Sequence, residues 1–124
     1  MALTINATSY DVRIPKGTAG TLKVDKVIDE VETDFTVGEV VYLQVKEKGK
    51  DATALITKEV STFTDGQAWI QFDESDTSAL DITSYIYDIL WKDTSGKLIR
   101  LLPTNEVDCT LPNFIICKVV TTDV

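Results

Sequence analysis

The stretch Ser84-Tyr-Ile-Tyr-Asp-Ile-Leu-Trp-Lys92 has the two-residue periodicity of a β-strand. One face of this strand would be aromatic or branched aliphatic: Tyr85, Tyr87, Ile89 and Trp91. The opposite face would carry one acid between two aliphatic side chains: Ile86, Asp88 and Leu90. Because both faces are largely apolar, the pattern predicts a central strand, with neighbours on both sides and a core beneath it.

Further alternating runs flank this strand, separated by clusters of Gly, Asp and Ser. We predict strands over 3–8 and 10–14 (one broken strand), 21–28, 39–47, 52–60, 67–72, 97–102 and 113–122. Asp65-Gly66 is a strong signal for a tight turn, and Asp93–Gly96 is typical of a hairpin loop. A helical turn near 75–80, with Ser75 as its N-cap, is expected to cross between two sheets.

The spacing Asp81-x-Thr83-x-Tyr85-x-Tyr87 matches the tyrosine corner of immunoglobulin-type domains. In that motif the hydroxyl of Tyr85 would bond back to a nearby backbone group, and Tyr87 would lie in the core with Trp91. We therefore predict one all-β domain spanning 1–124, an immunoglobulin-like β-sandwich. It should have seven to nine mostly antiparallel strands and no helix beyond the short turn near 75–80.

Composition excludes several functional classes. Among 124 residues, 12 are Lys or Arg and 20 are Asp or Glu, which gives a net charge of −8, and histidine is absent. Without imidazole there is no Ser-His-Asp system and no His-ligated metal. The acidic balance argues against nucleic acid and anionic membrane surfaces. No basic, apolar leader and no spanning segment is visible, so we expect synthesis in the cytoplasm without a signal peptide.

Two acidic clusters are candidate sites. The run 29–34 contains four carboxylates, yet it lacks the glycine and the Asp-x-Asp spacing of a calcium loop, so a solvated connection is the simpler interpretation. Asp73, Glu74 and Asp76 could hold a glycosidase pair only in a cleft. Helix capping and solubility explain these acids better. We predict no enzyme activity, no catalytic or metal residue, no cofactor and no small-molecule substrate.

Three side chains are nevertheless candidates for special roles. Asp88 on an apolar strand needs a partner, and Arg13, Arg100 or backbone donors could supply it; the alternative is an acid that serves a site. We expect Asp88→Ala to lower the free energy of unfolding by more than about 1 kcal/mol. Trp69 and Tyr42 alternate with core positions, so each could anchor a protein interface; the alternative is that they cover a sheet.

The two cysteines, Cys109 and Cys117, do not have the spacing of a zinc site. The simpler interpretation is that both are reduced core residues. A disulfide between neighbouring hairpin strands is the alternative.

An ordered series of motifs resembles a family of small phage and prophage domains. The series is Phe35-Thr-Val-Gly-Glu-Val-Val-Tyr-Leu-Gln-Val-Lys46, then Asp65-Gly-Gln-Ala-Trp-Ile70, then Asp76-Thr-x-x-Leu80, then Tyr85-Ile-Tyr-Asp-Ile89. It is similar to the N-terminal domain of the upper baseplate proteins of siphophages, over about residues 10–120. The resemblance implies an immunoglobulin-like structural component of a virion tail or baseplate. Its partners would be other virion proteins, in a homo-oligomer or a hetero-assembly.

A second function stays open beside this one. Exposed aromatic side chains and an acidic calcium loop would suit a carbohydrate- or ligand-binding β-sandwich module.

Overall fold

The protein is a two-sheet β-structure in a computed structural model that describes residues 2–3, 10–28, 31–47, 53–101 and 112–118. Its elements are β1 (Ala2–Leu3), β2 (Val12–Pro15), β3 (Gly20–Val24), β4 (Lys26–Ile28), β5 (Val31–Thr33), β6 (Val40–Lys46), β7 (Ile56–Val60), β8 (Ala68–Phe72), α1 (Glu74–Ser78), β9 (Ser84–Lys92), β10 (Leu98–Arg100) and β11 (Asn113–Cys117).

The smaller sheet has the order β1-β3-β8, and the larger sheet has the order β2-β11-β9-β6-β7, with β10 also paired to β9. β4 and β5 form a separate hairpin. The chain start is divided between the two sheets, as the predicted broken strand implies, because β1 pairs with β3 while β2 pairs with β11; residues 4–8 of the prediction lie outside the described residues. Those two pairings are parallel, and the remaining ladders are antiparallel. The predicted all-β, sandwich-like fold is therefore the observed fold class, with eleven strands among the described residues where seven to nine were expected.

The central position of β9 follows from its two apolar faces, as predicted. β6 pairs along one side of β9, while β11 and β10 share the other side. The odd positions of β9 are buried and form the middle of the core: Tyr85, Tyr87, Ile89 and Trp91. The core is closed across the sandwich by ring contacts, since Phe72 of the smaller sheet lies 5.5 Å from Phe114 of the larger one.

The tyrosine corner is present. The backbone N–H of Asp81 donates to the Tyr85 hydroxyl at 3.1 Å, and that hydroxyl lies 3.4 Å from the Asp81 carbonyl oxygen. Tyr87 is buried in the core, where its hydroxyl donates to the Tyr10 carbonyl at 2.5 Å. The second bond ties the chain just before β2 to the central strand.

Three local predictions are wrong. The strand expected over 21–28 divides at Asp25, because β8 pairs with β3 only as far as Val24 and the chain beyond pairs with β5 instead. Part of the acidic run 29–34 is strand β5 rather than loop; Asp29 and Glu30 lie outside the described residues. The N-cap of α1 is Asp73, not Ser75.

The reason for the last difference is a bond inside the first helical turn. The backbone N–H of Asp73 donates to Asp76 Oδ2 at 2.7 Å, as in a capping box, so the helix begins at Glu74. The helix does connect the two sheets, as predicted, because it joins β8 to β9.

The Asp65-Gly66 turn gives a direct stability prediction. Both residues have positive φ, 53° and 76°, which is typical of a type I′ turn. A Cβ on Gly66 would lie 2.3 Å from the Asp34 side chain, whereas a Cβ on Gly17, with φ of 73°, would meet nothing within 4 Å. We expect Gly66→Ala to lower the free energy of unfolding by about 2–3 kcal/mol and Gly17→Ala by about 1 kcal/mol. Urea unfolding checks both, and equal losses would contradict the clash.

Candidate functional site

The outer face of the larger sheet curls into a groove of about 670 Å³, here called the outer groove. Its floor is apolar, formed by Tyr42, Ile86, Leu90 and Leu98. Its charged side chains are Lys46, Lys92, Arg100 and Asp88. This volume lies in the range of sites that hold ligands or partner side chains.

The alternation of β6 and β9 places these side chains together. Odd positions of both strands are buried, so even positions point away from the core. The register sets Tyr42 opposite Leu90, and β10 adds Arg100 beside Leu90. Lys46 lies opposite Ile86 at one end, and Lys92 lies opposite Val40 at the other. The groove thus runs along the strands, about 20 Å between its two lysine ends.

Asp88 has the partner that the sequence required. Arg100 Nε donates to both carboxylate oxygens, at 3.0 and 3.2 Å. Lys46 and Lys92 form no ion pair with any described residue. Of the three cations around the apolar floor, Arg100 is therefore paired, whereas Lys46 and Lys92 have no ion pair within the described part of the chain.

Burial raises the pKa of Asp88 above its ordinary value, although the hydrogen bond and charge of Arg100 lower it. The raised pKa means that the folded protein holds the charged carboxylate less favourably than water does. Arg100 is itself 45 % exposed, so it can be solvated without Asp88. The stability loss expected for Asp88→Ala from the sequence should accordingly be smaller than about 1 kcal/mol.

We expect Asp88→Asn to be as stable as the wild type at pH 7, or more stable by up to about 1 kcal/mol. Because the pKa of Asp88 is raised in the folded protein, stability falls as pH rises from the ordinary Asp pKa through the folded-state pKa. The uncharged amide of asparagine removes that loss. At pH values below the ordinary pKa the two proteins should converge. Urea unfolding between pH 3 and 7 measures the difference. Arg100→Gln is the control: it removes the group that lowers the pKa of Asp88, so the stability lost as pH rises should be larger than in the wild type. An Asp88→Asn variant less stable than the wild type at pH 7 would contradict the argument.

The two predicted interface residues lie on opposite sides of the sandwich. Tyr42 lies half-buried on the floor of the outer groove. Trp69 lies on the outer face of the smaller sheet, 40 % exposed. Its Nε1 lies 3.4 Å from the Thr64 carbonyl, and Lys23 Nζ lies 6.0 Å from its ring. No single flat surface contains both residues, so they cannot form one interface patch.

A buried ion pair was missed by the sequence analysis. Lys26 and Glu39 are both nearly inaccessible, and their charged atoms lie 3.0 Å apart. Lys26 Nζ also lies 4.3 Å from the centre of the Trp91 ring, and Trp91 Nε1 donates to Glu39. One feature of the sequence could have indicated the pair: Lys26 continues the alternation of the buried positions Leu22 and Val24 of the preceding strand. The pair is enclosed, so we assign it to stability rather than to binding.

The described acids of the two clusters do not gather into a group that would hold a metal ion. In the described part of the chain, no three Cys, Asp or Glu side chains gather in a way that would hold a metal ion. Asp76 is engaged by Lys58 at 2.8 Å and caps α1. Within the same residues, no helix has the length and hydrophobicity to cross a bilayer.

Cys117 is a free thiol that lies half-buried on the outer face of the larger sheet. The prediction that it is a core residue is therefore wrong, because the core positions of β11 are Phe114 and Ile116. Cys109 lies outside the described residues.

Comparison of this chain with protein-family models, with curated proteins and with solved structures finds no match. Its strands and its outer groove define it as an all-β, sandwich-like protein with a charged groove on the larger sheet.

Proposed function

We propose that the protein is a non-enzymatic assembly module that acts by protein–protein contact through the outer groove. The single observation that supports this is the groove itself: an apolar floor lined by cations, two of which lack an ion pair with any described residue. Exposed apolar patches bordered by polar groups are typical of interaction surfaces. The groove is open along its length, which suits a protein segment.

The biological setting we propose is a phage or prophage tail or baseplate. The support is the ordered motif series, whose first part includes β6 and whose last part lies within β9. These are the two strands that form the floor of the groove, so the resemblance and the candidate surface involve the same segments.

Two observations test this setting. The genes on both sides of this one should encode tail tube, tape-measure or baseplate proteins. Particles purified after prophage induction should contain this protein by mass spectrometry, in a fixed ratio to the tail proteins. Its absence from particles, with neighbours for polysaccharide use or surface adhesion, would contradict the proposal.

A ligand-binding module is the second candidate, and the volume of the groove favours it. About 670 Å³ with Tyr42 on the floor would accommodate a small sugar or an aromatic acid. A glycan array and a calcium titration followed by thermal shift separate the two functions. Saturable sugar binding that Tyr42→Ala abolishes and Trp69→Ala leaves intact would favour this candidate.

A further inference from the structure

The charge of the outer groove is opposite to that of the protein that contains it. Three cations and one carboxylate give the groove a net charge of +2. The whole chain carries −8, so the residues outside the groove carry −10. A surface that complements the groove in charge is therefore present on every other copy of this chain.

The chain from β5 to the turn before β6, together with the β7–β8 turn, carries acids and exposed apolar side chains, and we call these residues the acidic end. It consists of Val31, Glu32, Asp34, Val37 and Asp65. Val31 is 63 % exposed and Val37 is 95 % exposed, and the three acids are accessible as well. None of these acids forms an ion pair with a described residue. The acidic end thus offers apolar contacts for the floor of the groove and negative charge for its lysines.

The segments of the acidic end are held together. The backbone N–H of Phe35 donates to the Gly66 carbonyl at 2.9 Å, which joins the chain after β5 to the β7–β8 turn. Phe35 is buried and stacks on Phe63 with 4.9 Å between ring centres. The β4–β5 hairpin pairs with no described strand of either sheet. The acidic end is therefore a pre-ordered surface rather than one that must fold on binding.

We propose that the outer groove of one copy receives the acidic end of a second copy, so that the chains associate head to tail. This inference rests on the proposed assembly function and names its partner. Groove-to-groove and end-to-end pairs are disfavoured, because the first would oppose Lys46, Lys92 and Arg100 to themselves and the second would oppose acids. Since donor and acceptor are different surfaces, each copy can use both. Such contacts form rings or open chains.

The first test is the mass of the purified protein by light scattering. We expect particles of two or more 13.7 kDa chains at hundreds of micromolar in low salt, and dissociation as salt rises. Lys46→Gln with Lys92→Gln, the groove variant, should weaken association by more than about tenfold. Glu32→Lys, the end variant, should also weaken it. Lys118→Glu and Glu74→Lys change charges elsewhere and should associate like the wild type.

The second test separates groove-to-end association from groove-to-groove and end-to-end pairing. The groove variant keeps its acidic end, and the end variant keeps its groove. An equal mixture should therefore form pairs of one chain of each kind and nothing larger, although each variant alone stays monomeric. Circular dichroism and urea unfolding establish that both variants fold.

Three outcomes overturn the inference: a wild type that stays monomeric under these conditions, a groove variant that associates like the wild type, or an equal mixture of the two variants that associates no better than either variant alone. A monomeric protein that is nevertheless present in purified particles would leave the proposed function standing, with another virion protein in the groove. A monomeric protein absent from particles would count against both.

Discussion

Lys26→Met should lower the free energy of unfolding by about 3–5 kcal/mol, because it leaves the buried carboxylate of Glu39 without its counter-charge. Lys26 Nζ contacts both Glu39 oxygens, at 3.0 and 3.3 Å. It also lies over two aromatic rings, 4.3 Å from the centre of Trp91 and 5.1 Å from that of Phe35. The methionine keeps the length of the side chain and loses both interactions.

Glu39 makes this site the junction of three segments. Its carboxylate accepts hydrogen bonds from the Thr36 backbone N–H and hydroxyl, each at 2.7 Å, and from Trp91 Nε1. The Lys26 ammonium, which pairs with this carboxylate, connects β4 to the same site. Beyond Val24 the chain has no described partner in the smaller sheet, so this ion pair fixes where the β4–β5 hairpin leaves the sandwich.

Acid should weaken the same junction. Burial raises the pKa of Glu39, but the hydrogen bonds from Thr36, Lys26 and Trp91 outweigh it, and the pKa lies below its ordinary value of 4.5. A lowered folded-state pKa contributes stability above the ordinary pKa, and this contribution is lost as pH falls through the folded one. Lys26→Met removes one of the lowering groups and leaves burial to raise the pKa of Glu39, so the variant should lose less stability than the wild type as pH falls, and the difference between the two proteins should shrink in acid.

Lys23→Met is the matched control. Lys23 is on the neighbouring strand, but its ion pair with Asp25 is 4.0 Å long and partly exposed, so we expect a loss below about 1 kcal/mol. A double-mutant cycle with Glu39→Gln isolates the pair. The double variant should be at least about 2 kcal/mol more stable than the sum of the two single losses implies. Additive losses, or equal effects of Lys26→Met and Lys23→Met in urea unfolding, would show that the charges do not act as a buried pair.

Periodicity alone predicted the strands that face one core. The two apolar faces of 84–92 correctly placed β9 in the middle of its sheet, and the corner motif predicted the Tyr85 hydrogen bond. The split at Asp25 was not predicted, because the alternation continues in phase through Val24 and Lys26, both buried. The pairing ends there because the partner strand β8 begins at Ala68, opposite Val24. The local sequence of a strand does not determine which strand it pairs with, so this end could not be predicted.

The candidate site was predicted in part. Alternation indicated that Tyr42 could face outward and placed Asp88 opposite the aromatic face of its strand, and the need for a counter-charge named Arg100 among the possible partners. The groove itself was not predicted, because it requires β6, β9 and β10 to be neighbours in a curled sheet. Tyr42 and Trp69 looked equivalent in the sequence, since each alternates with core residues. Their separation onto opposite faces depends on which sheet each strand joins.

The closing strand supplies the second large effect: Phe114→Ala should lower the free energy of unfolding by about 3–5 kcal/mol. Phe114 is fully buried. Its ring lies 5.5 Å from that of Phe72 in the smaller sheet and 6.1 Å from that of Tyr87 on the central strand. Removing it opens a cavity between the two sheets, which surrounding side chains on rigid strands cannot fill.

Ile115→Ala provides the control, since the neighbouring position faces outward and is only half-buried. We expect it to lower stability by about 1 kcal/mol. Both substitutions remove bulk from β11 while keeping its backbone bonds to β9 and β2, so the difference between them measures the core contact alone. Urea unfolding followed by tryptophan fluorescence reports both. Losses of similar size would mean that β11 contributes mainly through its backbone pairing, and that the core does not depend on the ring that joins its two sheets.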